Sequence, residues 1–180
     1  MSRPYIVTFA GVPGTGKTPI AFHISYSFGL PIIQMDAIRL EVREDLLVDN
    51  NDDEEVREEY LKRSIGRYQE LLRKGTCFID DSSADRSWKQ NKGDQFYQLQ
   101  EYGYDYLIIS MDLSKSFIEK LHTANKSVSN EKLNEYYDDH QEFLTLYSND
   151  IGVHITDDTY IDRMKLCESV VSNFIADRTT

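Results

Sequence analysis

No run of apolar residues in this chain reaches the length needed to cross a bilayer. Cysteine is scarce. Cys77 and Cys167 are the only two and they are not clustered, which excludes a disulfide framework and a cysteine metal site and suggests buried thiols. The four histidines, His23, His122, His140 and His154, show no metal-ligand spacing, so none is assigned a catalytic role. Basic residues are the scarcer sign: 20 Lys and Arg stand against 31 Asp and Glu, for a net charge of −11. Nucleic-acid binders usually present a basic face, so the deficit counts against a polynucleotide substrate. It serves solubility equally well. No internal repeat and no low-complexity linker is present, and 180 residues suit one domain with a sizeable core. Met1-Ser2-Arg3-Pro4 leads directly into an apolar stretch, so no signal peptide and a cytoplasmic location are expected.

What is present is Gly11-Val12-Pro13-Gly14-Thr15-Gly16-Lys17-Thr18, which reads G-x-x-x-x-G-K-T, the phosphate-binding loop. Its context fits. Tyr5–Ala10 is apolar, β-branched and aromatic, as a buried strand should be, and Ile20-Ala21-Phe22-His23-Ile24 can begin a helix. The glycines let the backbone wrap closely around a phosphate. The amides of Gly14, Thr15, Gly16, Lys17 and Thr18 then point inward, and the helix N-terminus adds positive potential. Lys17 would reach the β- and γ-phosphates and the Thr18 hydroxyl would hold Mg²⁺. Gly11, Pro13, Gly14, Thr15, Gly16, Lys17 and Thr18 are therefore the expected nucleotide-binding residues, against the alternative of a glycine-rich turn that binds nothing. Pro19 is tolerated in a first helical turn but removes one possible donor to the α-phosphate.

Further strands are expected at 31–35, 76–79, 104–111 and 153–155, with helices beginning at Ala37 and covering 52–74, 87–101, 117–121, 131–147 and 161–176. The helix to Lys74 carries a stripe of Leu61, Ile65, Tyr68 and Leu72, is capped by Asn51 or Asp52, and stops at Gly75. Residues 122–129 read as polar and irregular. Alternating strands and helices imply an α/β fold, a parallel sheet with helices on both faces.

In such a sheet ligands bind at the carboxyl ends of the strands. The phosphate loop, Asp36 and Asp80-Asp81 all sit there. Asp36 lies one helical turn before Arg39, so Asp36 could serve as the base with Arg39 gripping the acceptor, or Asp36 could merely cap the helix. Asp80 follows an apolar strand and is preferred over Asp81 as the metal-side carboxylate, against a plain Asp-Asp-Ser-Ser turn. Lys120 and Lys126 flank a segment that could close over the phosphates as a lid, or could be simply solvated.

With the phosphate loop, Met35-Asp36-Ala37-Ile38-Arg39, Phe78-Ile79-Asp80-Asp81-Ser82-Ser83, Tyr102-Gly103-Tyr104 and the stretch 120–133, the chain resembles the small P-loop kinases that include phage polynucleotide kinases, gluconate kinases, chloramphenicol phosphotransferases and zeta-toxin-like kinases. The resemblance runs over nearly the whole chain. It implies a single domain, 1–180, with a three-layer P-loop NTPase fold, a five-stranded core of order 2-3-1-4-5 and a helical lid at about 115–135. It further implies ATP and Mg²⁺, with Asp36 as base. The lid departs from the pattern: it offers Lys120 and Lys126, and no arginine lies between Arg86 and Arg163. Lysine lacks the planar fork that arginine presents to phosphate.

The expected function is transfer of the γ-phosphate of ATP to a hydroxyl of a small molecule. The rivals are a polynucleotide 5′-hydroxyl kinase and a non-catalytic or weakly hydrolytic nucleotide-binding regulator. Glu44, Asp45, Asp49, Asp52, Asp53, Glu54, Glu55, Glu58 and Glu59 make an acidic stretch after Arg39. It reads either as a solvated helix start or as the mouth of a site for a cationic acceptor.

Overall fold

The computed structural model describes residues 3–48, 54–91, 99, 101–125 and 129–178. Five parallel strands form one sheet in the order β2-β3-β1-β4-β5, as the resemblance implies. They are β1 (Tyr5–Ala10), β2 (Ile32–Ile33), β3 (Phe78–Ser83), β4 (Asp105–Met111) and β5 (Ile151–Ile155). The helices are α1 (Lys17–Phe28), α2 (Met35–Leu46), α3 (Glu54–Lys74), α4 (Ala84–Asn91), α5 (Lys115–Asn125), α6 (Asn130–Leu146) and α7 (Arg163–Ala176).

Side chains alternate along a strand, so each strand feeds two cores. From β1, Tyr5, Val7 and Phe9 meet Ile20 and Ile24 of α1, Ile118 of α5 and Cys167 and Val171 of α7. Ile6 and Ala10 meet Ile38 of α2, Leu72 of α3, Ala84 of α4 and Phe143 of α6. Helices on both faces complete three layers.

Several expected boundaries change. β2 shrinks to two residues and α2 starts at Met35, with Gln34 as its N-cap. Asp36 is thus the second helical residue and does not cap the helix. The Asp80-to-Ser83 stretch is not a turn: β3 runs through it, paired with β1 at Thr8↔Asp80 and Phe9↔Ser83. α4 starts earlier, at Ala84, and is described to Asn91; of the rest of the helix expected over 87–101, Leu99 and Glu101 are helical and residues 92–98 and 100 lie outside the described residues. The irregular segment expected from His122 is helical through Asn125, and Ser129 caps α6, its hydroxyl accepting the Lys132 N–H. On α3 the buried side chains are Val56, Ser64 and Leu72, whereas Leu61 and Ile65 are exposed. Cys77 is half-buried just before β3, and Cys167 is buried. No helix among the described residues is long and apolar enough to cross a membrane.

Candidate active site

The phosphate loop leaves the carboxyl end of β1 and enters α1. Gly14 and Gly16 hold φ of 79° and 94°, which L side chains rarely adopt. A Cβ on Gly14 would meet the His122 ring at 3.1 Å, and one on Gly16 would meet the Tyr160 hydroxyl at 3.2 Å and Arg163 Nε at 3.7 Å. The loop is braced from within by Thr15 Oγ1, which donates to the Val12 carbonyl at 2.7 Å. Lys17 folds back so that Nζ donates to the Gly11 and Val12 carbonyls at 2.5 and 3.0 Å. Burial pushes its pKa down to about 8, against the pull of Asp85 and Asp81, with Arg86 lowering it further.

Asp81, not Asp80, lies beside Thr18. The Thr18 side chain is near enough to its carboxyl to lower the Asp81 pKa. Burial, with the Asp80 and Asp36 carboxylates, raises the Asp81 pKa to about 6 despite Thr18 and Lys17. Its Oδ1 is buried with no hydrogen-bond partner among the described residues. Asp80 is turned into the protein at 1% exposure. Its Oδ1 accepts the Ser82 N–H at 2.9 Å, and burial raises its pKa. Among the described residues no group of three His, Cys, Asp or Glu could hold a metal unaided. A divalent ion here would need Thr18, Asp81 and oxygens of a bound phosphate.

Asp36 stands in the first turn of α2 with its side chain 98% exposed and one carboxylate oxygen 3.9 Å from Arg39 Nη1. The Arg39 guanidinium lies 4.7 Å from the centre of the Tyr60 ring. Tyr60, on α3, thus holds Arg39 in place. No local pattern in the sequence marks it out. Of the acidic stretch, Asp45 and Glu59 are both paired with Arg63. Asp49, Asp52 and Asp53, like Lys126, lie outside the described residues. Lys120 is exposed on α5 and makes no hydrogen bond or ion pair among the described residues, so the lid role expected of it has no contact behind it.

Residues that sequence reasoning missed surround the loop. Asp85 Oδ2 accepts the Gly11 N–H and His140 Nδ1–H, each at 2.9 Å. Burial opposes its charge, but His140, Lys17 and the Gly11 N–H together hold its pKa below the ordinary value. Arg86 stacks on Tyr136 at 4.9 Å, and Arg163 on Tyr160 at 4.1 Å. The two arginines approach the loop from α4 and α7, outside the lid. His122 Nε2–H donates to the Pro13 carbonyl at 2.6 Å. These partners are distant in sequence, so spacing gives no signal for them.

No family model matches the chain, and no curated protein matches it. Solved structures do. A kinase candidate from Chloroflexus aurantiacus J-10-fl superposes with a TM-score of 0.66 at 16% identity, over 99% of this chain and 99% of that one. A component of the PezAT chromosomal toxin–antitoxin system of Streptococcus pneumoniae gives 0.56 at 18% identity, over 88% of this chain and 71% of that one. A gluconokinase from Sinorhizobium meliloti 1021 gives 0.53 at 15% identity, over 98% and 97%. At these identities the likeness is one of architecture, and with the sheet order and the loop geometry it gives the chain the three-layer α/β P-loop NTPase fold found in these kinases.

Proposed function

We propose that the chain is an ATP-dependent phosphotransferase that moves the γ-phosphoryl group to a hydroxyl of a small molecule. What supports this reading is that Thr18, Lys17 and Asp36 all stand near enough to Asp81 to shift its pKa, at the end of the loop after β1. The loop amides and Lys17 bind the phosphate chain. Lys17 is suited to this because its present partners are only two neutral carbonyls, which an anion would outcompete. Thr18 and Asp81 would hold Mg²⁺, and the unpartnered Asp81 Oδ1 fits that role. Such an ion, when bound, would supply charge to offset that developing on the transferred group. Asp36 takes the proton of the acceptor hydroxyl as its oxygen bonds to phosphorus, while the bond to the β-phosphate oxygen breaks and ADP leaves. Arg39, stacked on Tyr60, orients the acceptor.

The acidic stretch would favour a cationic acceptor, such as an amino sugar. That support is weaker than the charge count suggests, because Asp45 and Glu59 are spent on Arg63. The net charge of −11 disfavours the polynucleotide reading.

The test is ADP formation with Mg·ATP across a panel of hydroxylated metabolites, antibiotics and oligonucleotides, with Lys17→Ala as the control. At least one small acceptor should stimulate wild type and leave the variant silent. An oligonucleotide as the best acceptor would select the polynucleotide reading. Nucleotide binding that Lys17→Ala abolishes, with no ADP formed in any mixture, would select the regulatory module that the arginine-free lid segment favours.

A further inference from the structure

A loop built to take an anion has a buried anion directly behind it. Asp85 is 2% exposed. Its Oδ2 accepts the Gly11 N–H and the His140 Nδ1–H, each at 2.9 Å, and its Oδ1 accepts the Arg86 N–H at 3.1 Å. Lys17 Nζ bonds the carbonyl of the same Gly11. Asp85 and Lys17 each favour the other's charged form against burial, so the two charges face one another across the first residue of the loop. A neutral oxygen could brace the Gly11 N–H equally well, and a buried charge is the costlier choice. Gly11 also precedes the amides of residues 14–18 that would face a phosphate, so Asp85 does not occupy the ligand's seat. What remains for its charge is to act on the ligand at one remove.

We propose that Asp85 is a positioning residue that makes the loop selective: its carboxylate keeps Lys17 beside Gly11 and repels bare polyphosphate, so that the loop prefers a phosphate chain whose charge a divalent cation has offset. This rests on the nucleotide-binding reading of the loop. Repulsion from a fixed charge grows in proportion to the ligand's charge and is strong where water is excluded. Metal-free pyrophosphate carries roughly twice the net negative charge of Mg·ADP in mildly acidic buffer, so Asp85 weakens its binding more. A mere brace makes the opposite prediction, because loosening the loop weakens every phosphate ligand.

The experiment is calorimetry at pH about 6, below the Lys17 pKa of about 8 so that its ammonium is kept. The two probes are pyrophosphate with a chelator and Mg·ADP. The proteins are wild type, Asp85→Asn, Asp85→Ser, Asp85→Glu and Lys17→Ala, with thermal melts to show which are folded. The neutral variants, Asp85→Asn and Asp85→Ser, should bind pyrophosphate about tenfold or more tighter than wild type, and Mg·ADP tighter by only about threefold. They should do so while melting below wild type, since His140 loses a charged partner. Asp85→Glu, which keeps the charge, should show no gain for pyrophosphate. Weaker or unchanged pyrophosphate binding in the folded neutral variants would make Asp85 a brace and overturn the inference. So would an equal gain for both probes, or a fold that neither neutral variant can reach. Lys17→Ala marks the other failure. If wild type binds neither probe, or Lys17→Ala binds both as wild type does, the phosphate-loop reading falls and the Asp85 inference falls with it. If Lys17→Ala binds neither and Asp85→Asn matches wild type, only the Asp85 inference is wrong.

Discussion

Replacing Asp81 by Asn should make the free protein more stable and the metal-bound protein less so. Burial and the carboxylates of Asp80 and Asp36 raise the Asp81 pKa from 3.8 to about 6. The folded state therefore holds this proton more tightly than the unfolded chain does. As pH rises from about 4 to about 6 the unfolded chain ionises first, stability falls, and the cost is complete above pH 6. A shift of this size corresponds to about 3 kcal/mol, which solvent screening at a partly exposed carboxylate reduces to about 1–2 kcal/mol. Asn keeps the shape and removes the titration. In metal-free buffer at pH 7 Asp81→Asn should melt about 2–6 °C above wild type, and the gain should vanish below pH about 4. Mg·ADP should reverse the order, since wild type gains the full binding energy and the variant has lost a metal ligand. Thermal melts followed by circular dichroism across this pH range, with and without Mg·ADP, measure both arms. A variant that melts below wild type at pH 7 without metal would refute the electrostatic argument. An unreversed order with Mg·ADP would refute the metal role. The metal arm also separates Asp81 from Asp80, whose buried carboxyl is raised too but which lies away from Thr18.

Asp36→Asn should lower turnover by about 10²–10⁴-fold with nucleotide affinity unchanged. Its stability should move by less than about 0.5 kcal/mol, because the side chain is 98% exposed and Gln34 holds the N-cap. Asp85→Ala should cost about 3–5 kcal/mol, read as a lower denaturant midpoint, because it orphans buried His140 and the Gly11 N–H together. The Asp85 pKa lies below its unfolded value, so this stabilisation is present above about pH 4 and is lost as pH falls through the folded pKa. The cost of the variant should accordingly shrink in acid, and a cost independent of pH would refute the charge argument.

The phosphate loop was legible because its chemistry is local: the glycines, Lys17 and Thr18 are neighbours in sequence, and so are the backbone amides they arrange. The order of strands was not readable from periodicity and came with the resemblance. Asp80-Asp81-Ser82-Ser83 has the composition of a turn, yet pairing with β1 at Thr8↔Asp80 and with β2 at Ile33↔Asp80 draws it into a strand. That extension leaves Asp81 near Thr18 and Asp80 in the interior, so the structure favours Asp81 for the metal-side role that the sequence reading preferred for Asp80. On α3 the apolar stripe misled because Ser64 occupies a buried position, its hydroxyl satisfied by the Leu61 carbonyl at 3.0 Å, while Leu61 and Ile65 face outward. The spacing of four from Val56 through Tyr60, Ser64 and Tyr68 to Leu72 is the face that packs, and one serine hides it. Asp85 and His140 carry no local signal at all. Their partnership exists only once α6 lies against α4, where Trp88 meets Phe143 at 6.1 Å.

The Gly11 peptide shows how the loop is held in readiness. Its N–H is given to Asp85, and its carbonyl accepts Ser83 Oγ at 3.1 Å as well as Lys17 Nζ. Its φ of 138° is open to glycine and strained for other residues, and a Cβ there would meet the Met111 side chain at 2.7 Å. Were Lys17 to leave for a phosphate, Ser83 and Asp85 would still hold the peptide from β3 and α4. The donors of the loop are thus ordered before any ligand arrives, which lowers the ordering cost of binding. The lid region is tied to the same loop twice. α5 touches it through His122 and Pro13; α6 reaches it through His140, Asp85 and Gly11. The two ties differ in strength. Parting His140 from Asp85 would leave a buried carboxylate short of its partner, at a cost of several kcal/mol. Parting His122 from Pro13 gives up one hydrogen bond, of about 1 kcal/mol.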